Sequence, residues 1–269
     1  MTHVSQLVIY PIKSCRGIEV EQAQVGATGF EYDRRWMVVG DDGRFLSQRE
    51  HHRLALVRVQ LAGDRLRLDA PGLNALEVIS DGGAVPTSRV QVWDDECAAV
   101  DEGAEAARWL SQHLGCEARL VRMADDDARP LGSSTAQPGD RVSFADGFPF
   151  LLISSASLDG LNRRLSLPVP MDRFRPNIVI DGCEPHAEDG WNRVLIGEVP
   201  FRCAKPCARC VVTTVDQATG ERGREPLRTL STYRTVDGQV LFGQNLVHEG
   251  RGLIRVGDPV EVLDTTRDA

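Results

Sequence analysis

Long apolar runs are missing from this 269-residue chain, and no stretch approaches the ~20 residues that a membrane-spanning helix needs. The first residues, Met1-Thr-His-Val, lack a basic segment followed by an apolar one, so no secretory signal is expected. Positive charge is in deficit: 31 Lys and Arg against 39 Asp and Glu give −8, which argues against a general binder of nucleic acid or anionic membrane. The seven cysteines are an odd number and follow no signal, which fits a reducing compartment. A cytoplasmic, soluble protein is the expectation. Three redox signatures are also missing. There is no Cys-x4-Cys-x2-Cys for an iron–sulfur cluster, no Cys-x-x-Cys-His for haem, and no Gly-x-Gly-x-x-Gly for a nucleotide.

What is present is concentrated. Three of the seven cysteines fall between Cys203 and Cys210, beside Lys205 and Arg209. Neighbouring cations favour thiolate over thiol, the form that ligates metal or attacks as a nucleophile. The run Val211-Val-Thr-Thr-Val215 that follows is β-branched and predicts a strand, which would hold such a thiolate at its start. Zinc would need four ligands, and only Cys207, Cys210 and a third from Cys203 are on offer, with no second Cys-x-x-Cys. A thioredoxin-like pair should open a helix in a βαβ setting rather than lead into a strand. Inert core thiols stay open as an explanation. So does a single thiolate on a metal that brings its other ligands with it.

Short strands with turns between them dominate the rest. Gln6–Tyr10, Glu19–Val25 and Arg34–Val39 precede the turn Gly40-Asp-Asp-Gly43, and Leu54–Leu61 and Arg65–Leu68 flank Gly63-Asp64. A helix is predicted over about Glu102–Leu114, with acids early and Gly115 as its stop. A polar stretch through Ala124–Pro130 and Ser133–Gly139 predicts a long loop or domain junction. Ser155 is expected to cap a short helix with Leu158, Leu161 and Leu165 on its apolar face. Later strands are predicted at Asn177–Asp181, Arg193–Ile196, Val199–Arg202, Gln239–Phe242 and Leu253–Val256. The pattern reads as mainly β with a few helices (α+β), in barrels or sandwiches rather than βαβ units.

Cations gather near the motifs: Lys13, Arg16, Arg34, Arg35, Arg49, Arg173, Arg175, Lys205 and Arg209. Solvated surface charge would explain any one of them. Their placement at turns and strand starts, with Ser14 beside Lys13, instead suits a phosphate-bearing ligand held from both halves of the chain. His51, His52 and His186 sit in charged segments and are assigned no metal.

The run Cys207-Ala-Arg-Cys-Val-Val-Thr-Thr-Val-Asp216-x-x-Thr-Gly220 resembles the signature of the MOSC family. Tyr10-Pro-Ile-Lys-Ser-Cys15, Asp33-Arg-Arg-Trp36, Phe174-Arg-Pro-Asn-Ile-Val179, Phe242-Gly-Gln-Asn245 and Val256-Gly-Asp-Pro-Val260 extend that likeness to its two-domain members. The resemblance implies an N-terminal β-barrel-like domain over 1–125 and a C-terminal MOSC β-barrel domain over 126–269. It implies a molybdenum cofactor, Mo-molybdopterin, with Cys210 as the metal ligand and Lys13, Ser14, Arg34, Arg175 and Asn177 holding the cofactor. Cys207 and Cys183 match positions that are not ligands. Asp216 is a candidate catalytic residue, as a proton carrier or as a supporting group.

The activity implied is reduction of the N–O bond of a small N-hydroxylated substrate. Electrons would come from a separate ferredoxin-, flavin- or haem-type protein, because the pattern ends near Leu263 with no fused iron–sulfur domain behind it. A carrier of cofactor or activated sulfur, without turnover, is the alternative, and a zinc-stabilised β module is a third.

Overall fold

The computed structural model describes residues 1–63, 65–80, 88–124 and 128–265. A nine-stranded sheet runs in the order Ile18–Val20, His3–Ile9, Ile178–Asp181, Phe150–Ser154, Gln239–His248, Val199–Ala208, Trp191–Ile196 and Val260–Thr265, with Thr235–Val236 paired to Gln239–His248. Phe150–Ser154 and Ile178–Asp181 run parallel, and the other neighbours in that sheet are antiparallel. A four-stranded sheet (Trp36–Val39, Arg119–Met123, Asp95–Asp101, Ser88–Val92) and a three-stranded one (Arg58–Ala62, Arg65–Asp69, Leu76–Ile79) come from the N-terminal half. The mainly-β expectation holds.

The chain does not divide cleanly in space at its middle. His3–Ile9 pairs with Ile178–Asp181, and Gln22–Val25 pairs with Gly252–Arg255. The strands of the first 25 residues therefore belong to the sheets of the C-terminal half, whereas Ile12 and Cys15 between them pack in the core of the N-terminal half. The expected boundary at 125/126 falls on residues 125–127, outside the described residues, as does Asp64 of the second hairpin.

Alternation along the strands builds the cores. Phe150 packs edge-on against Phe30 (centroids 4.9 Å apart) and Phe201 (5.2 Å). All three are nearly fully buried, each contributing about 1.5–3 kcal/mol. The helix Ala104–Leu114 lays Ala106, Trp109 and Leu110 on the second core and ends at Gly115 in the left-handed conformation. The second helix, Ser155–Asn162, is capped by Ser154 rather than Ser155. The Ser154 hydroxyl accepts the Ser157 N–H at 3.1 Å, one residue earlier than expected.

Two expectations are corrected. The Val211–Val215 run is not a strand: Val211–Thr214 is a turn of 3-10 helix. The hydroxyls of Thr213 and Thr214 donate to the carbonyls of Cys210 (3.0 Å) and Val211 (2.7 Å), three residues back. This local bonding overrides the β preference of branched side chains. The strand lies upstream instead, over Val199–Ala208, running past the expected end at Arg202 into the cysteine-rich stretch. Pro206 is accommodated there because the pairing register shifts between Pro206 and Ala208. From residue 128 onward the polar stretch before Phe150 is likewise packed rather than a bare loop, residues 125–127 lying outside the described residues. Arg129–Pro130 pairs with Arg141–Val142, Leu131 and Val142 join a small core, and Arg202 donates to the Thr135 carbonyl at 2.6 Å.

Candidate active site

One cavity of about 650 Å³ opens where the two halves meet. Its wall includes Lys13, Ser14, Arg34, Arg49, Arg129, Asp146, Phe148, Arg175, Asn177, Lys205, Cys207, Arg209, Cys210 and Asn245. Seven Lys and Arg side chains face three aspartates across the lining, in a chain whose formal charge is −8. The sequence-predicted residues Lys13, Ser14, Arg34, Arg175, Asn177 and Cys210 all line it. Of the other cations singled out, Arg49, Lys205 and Arg209 line it too, whereas Arg16, Arg35 and Arg173 do not.

Three of these residues occupy left-handed backbone without being glycine: Ser14 (φ 68°), Arg34 (φ 49°) and Arg175 (φ 58°). Each such residue costs on the order of 1–3 kcal/mol and persists only where its surroundings over-determine it. Arg34 therefore sits in a turn before its strand, not at the strand start. Its Nη1 donates to Asp33 and, at 2.9 Å, to Asn177 Oδ1. Asn177 in turn donates from Nδ2 to Asp33 Oδ1 (3.0 Å) and the Val8 carbonyl (3.1 Å). Asp33 also accepts the Tyr10 N–H at 2.8 Å. Both the Arg34 and Arg175 guanidinium groups lie over the Tyr10 ring, 4.3 and 4.2 Å from its centroid. A buried anion and a buried aromatic ring thus hold two arginines at one wall.

Burial, reinforced by Arg34, pushes the Arg175 pKa down, so its charge is under-compensated. Its Nη1 donates to the Cys15 carbonyl at 2.7 Å, and no carboxylate among the described residues pairs with it. Burial lowers Lys13 as well, against the pull of Asp146 at 2.5 Å. Desolvation at the wall pushes Asp146 up, but Lys13, then Arg49 and Trp93, outweigh it and hold the carboxyl well below the usual range. Arg209 donates to Cys207 Sγ at 3.0 Å and to the Phe174 carbonyl at 2.6 Å, while its Nε is buried without a partner.

Cys210 is half-buried and caps the Val211–Thr214 turn. Burial raises Cys15 and Cys203 to about 12, which makes them inert packing thiols. Among the described residues no three His, Cys, Asp or Glu side chains gather around one point to hold a metal ion. Zinc bound by protein ligands alone is therefore not accommodated here. Two thiols line the cavity; Arg209 engages Cys207, and Cys210, together with Arg175 and Arg209, which no carboxylate among the described residues pairs, fits a phosphate-bearing cofactor that carries its own soft metal ligands.

Asp216 does not line the cavity. Its Oδ1 accepts the N–H groups of Ala218 (2.9 Å) and Thr219 (3.0 Å), and its Oδ2 pairs with Arg173 at 3.3 Å. Desolvation raises this carboxyl, but those bonds prevail and hold it low and ionised. Of the two roles expected for it, the placement favours support over proton transfer. Gly243 (φ 81°) lies two residues before Asn245 of the cavity wall. A side chain there would meet the Leu152 carbonyl at 2.8 Å, and the strand could not pass so close on its way to Asn245. Sequence reasoning missed Asp33, Tyr10, Asp146, Arg129 and Trp93. The first two stand inside quoted motifs; Asp146 and Trp93 carry no sequence signal.

Residues 1–117 match the MOSC N-terminal beta barrel domain, and residues 139–261 match the MOSC domain. The chain is 40% identical to mitochondrial amidoxime-reducing component 1 of Mus musculus over 97% of its own length and 82% of that protein. It is 37% identical to the Homo sapiens protein of the same name over 97% and 82%. Against mitochondrial amidoxime reducing component 2 of Rattus norvegicus it is 38% identical over 96% and 82%. Among the described residues no helix is long and apolar enough to cross a membrane. Matched along both halves in this way, the chain belongs to the MOSC family, and the amidoxime-reducing components are its relatives.

Proposed function

We propose that this protein is a molybdenum-cofactor-dependent reductase of small N-hydroxylated compounds, and that it takes electrons from a separate redox protein. The observation that carries the reading is the pairing, in one cavity, of the Cys210 thiol, which unlike Cys207 is not engaged by Arg209, with cations that no carboxylate among the described residues neutralises, Arg175 and Arg209. The relatives' name, amidoxime-reducing component, supports the substrate class.

Each residue then has a task of its own. Lys13, Arg34 and Arg175 present donors to the phosphate, each charge-assisted bond contributing about 1.5–3 kcal/mol. Ser14 adds a hydroxyl beside them, while Asn177 holds Arg34 through its Oδ1 at 2.9 Å. Cys210 supplies the protein's one metal ligand, and Asp216 supports the turn that carries it. When bound, the cofactor supplies the two-electron chemistry that cleaves the N–O bond, and the protein supplies orientation and electrostatics. All seven cysteines are free, which supports a reducing compartment such as the cytoplasm.

The test begins with protein from cells that make the cofactor. Molybdenum and the fluorescence of the oxidised pterin should co-purify in equal amounts. An aromatic amidoxime should be reduced to the amidine when a reduced flavin, haem or ferredoxin component is added, and not with NADH or NADPH alone. Cofactor without turnover under every donor would make the chain a carrier. Zinc without pterin would sink both readings.

A further inference from the structure

We infer that Arg173, which does not line the cavity, is the positioning residue that fixes the Cys210 turn. The proposal rests on the reading of Cys210 as the metal ligand. Arg173 closes the short turn Met171–Arg173, and its side chain is only 8% exposed. Its guanidinium reaches three acceptors spread along the segment after Cys210. Nε donates to the Thr213 carbonyl at 2.9 Å, Nη1 to Asp216 Oδ2 at 3.3 Å and Nη2 to the Glu225 carbonyl at 3.1 Å. Thr213 is itself bonded to the Cys210 carbonyl through its N–H (3.2 Å) and its hydroxyl (3.0 Å). A tie also runs the other way, from Arg209 Nη2 to the Phe174 carbonyl at 2.6 Å.

The segment holding Arg173 and Phe174 is thus strapped to the Cys210 segment on both sides of the thiol. One residue further along, Arg175 enters the cavity. A branched fork is required here because three acceptors lie in different directions. A lysine, with a single point charge, could satisfy only part of the set. A ligand atom held loosely by even about 1 Å loses function, so what stiffens the backbone at Cys210 matters as much as the sulfur itself.

Alkylation of the cofactor-free protein reads this directly. Iodoacetamide would be added and the modification rates of Cys210 and Cys116 followed by peptide mass spectrometry. With Arg173→Met, Cys210 should react about tenfold faster than in the parent, because the turn opens locally more often, while Cys116 in the other half keeps its rate. Arg173→Lys should fall between the two. Arg122→Met removes another buried arginine, one paired with Glu102 at 3.2 Å; it should lower the melting temperature and leave the Cys210 rate alone.

A Cys210 rate within about twofold of the parent in Arg173→Met, with Cys116 also unmoved, would overturn the proposal and leave Arg173 a residue of the fold only. Should Arg173→Met fail to fold, Arg173→Lys carries the same comparison, and a parental rate in it overturns the proposal equally. Parental amidoxime reduction by Cys210→Ser at matched pterin content would instead defeat the ligand reading, whatever Arg173 does.

Discussion

Arg34 and Arg175 are both proposed to hold the same phosphate, yet their removal should damage the protein very differently. Arg34→Ala strips the guanidinium from Asp33, whose side chain is 2% exposed. Breaking a buried pair from one side costs about 3–5 kcal/mol, because the remaining charge is left uncompensated. Asp33 keeps the Tyr10 N–H at 2.8 Å and Asn177 Nδ2 at 3.0 Å, so the lower figure, about 3 kcal/mol, applies. Arg175→Ala orphans only the Cys15 carbonyl and a ring contact with Tyr10, about 1–2 kcal/mol.

At about 2 °C per kcal/mol for a chain of this size, calorimetry at pH 7 should show a loss of about 6 °C for Arg34→Ala and about 2–4 °C for Arg175→Ala. The linkage sign follows from Asp33, which burial already raises above its ordinary 3.8, against Arg34 and its hydrogen-bond donors. Without Arg34 the folded-state pKa rises further. A carboxyl raised on folding destabilises the native state while it is ionised, and the penalty vanishes once pH falls below the unfolded value. The deficit of Arg34→Ala should therefore shrink between pH 7 and about pH 4. The double variant Asp33→Asn with Arg34→Ala should regain most of it at pH 7. Equal melting temperatures for the two single variants, or a double variant no better than Arg34→Ala, would refute the assignment of Asp33 as the buried counter-ion.

Cys210→Ser should abolish amidoxime reduction with the fold retained, whereas Cys207→Ser, which alters the 3.0 Å contact from Arg209 and the 3.8 Å contact to the Ala208 carbonyl, should keep most of the activity; steady-state assays at matched pterin content check both. Asp216→Asn preserves an acceptor for Ala218 and Thr219 and weakens only the pairing with Arg173. The pH profile of turnover should then stay unshifted, and loss of a limb from that profile would restore Asp216 as a proton carrier. Burial lowers His113, His186 and His248 below their usual 6.5, so the unfolded chain takes up protons first as pH falls. Stability should therefore decline from pH 7.5 to about pH 5.5, and replacing His186 and His248 by Gln should flatten the decline in a melting series.

Much of this was legible in the residues themselves. The Gly63-Asp64 turn signal marked the strand pair Arg58–Ala62 and Arg65–Asp69, although Leu54–Leu56 proves to be 3-10 helix rather than the start of the strand, and acids before Gly115 marked the helix Ala104–Leu114. The motifs also named a thiol and cations, Cys210, Lys13, Arg34 and Arg175, that the folded chain brings to one cavity. Three things needed the tertiary structure.

The Val211–Thr214 run carries a strong local β preference, yet it curls because Thr hydroxyls and Arg173, from 40 residues upstream, satisfy its carbonyls. Asp216, inside the signature, points away from the cavity because Arg173 and the Ala218–Thr219 turn claim both its oxygens. The left-handed turns at Arg34 and Arg175 are imposed by partners as distant in sequence as Asn177 is from Arg34, 143 residues. Local sequence sets what a side chain can bond to; which bonds form, and so which way each charge faces, is decided by groups that only the folded chain brings within reach.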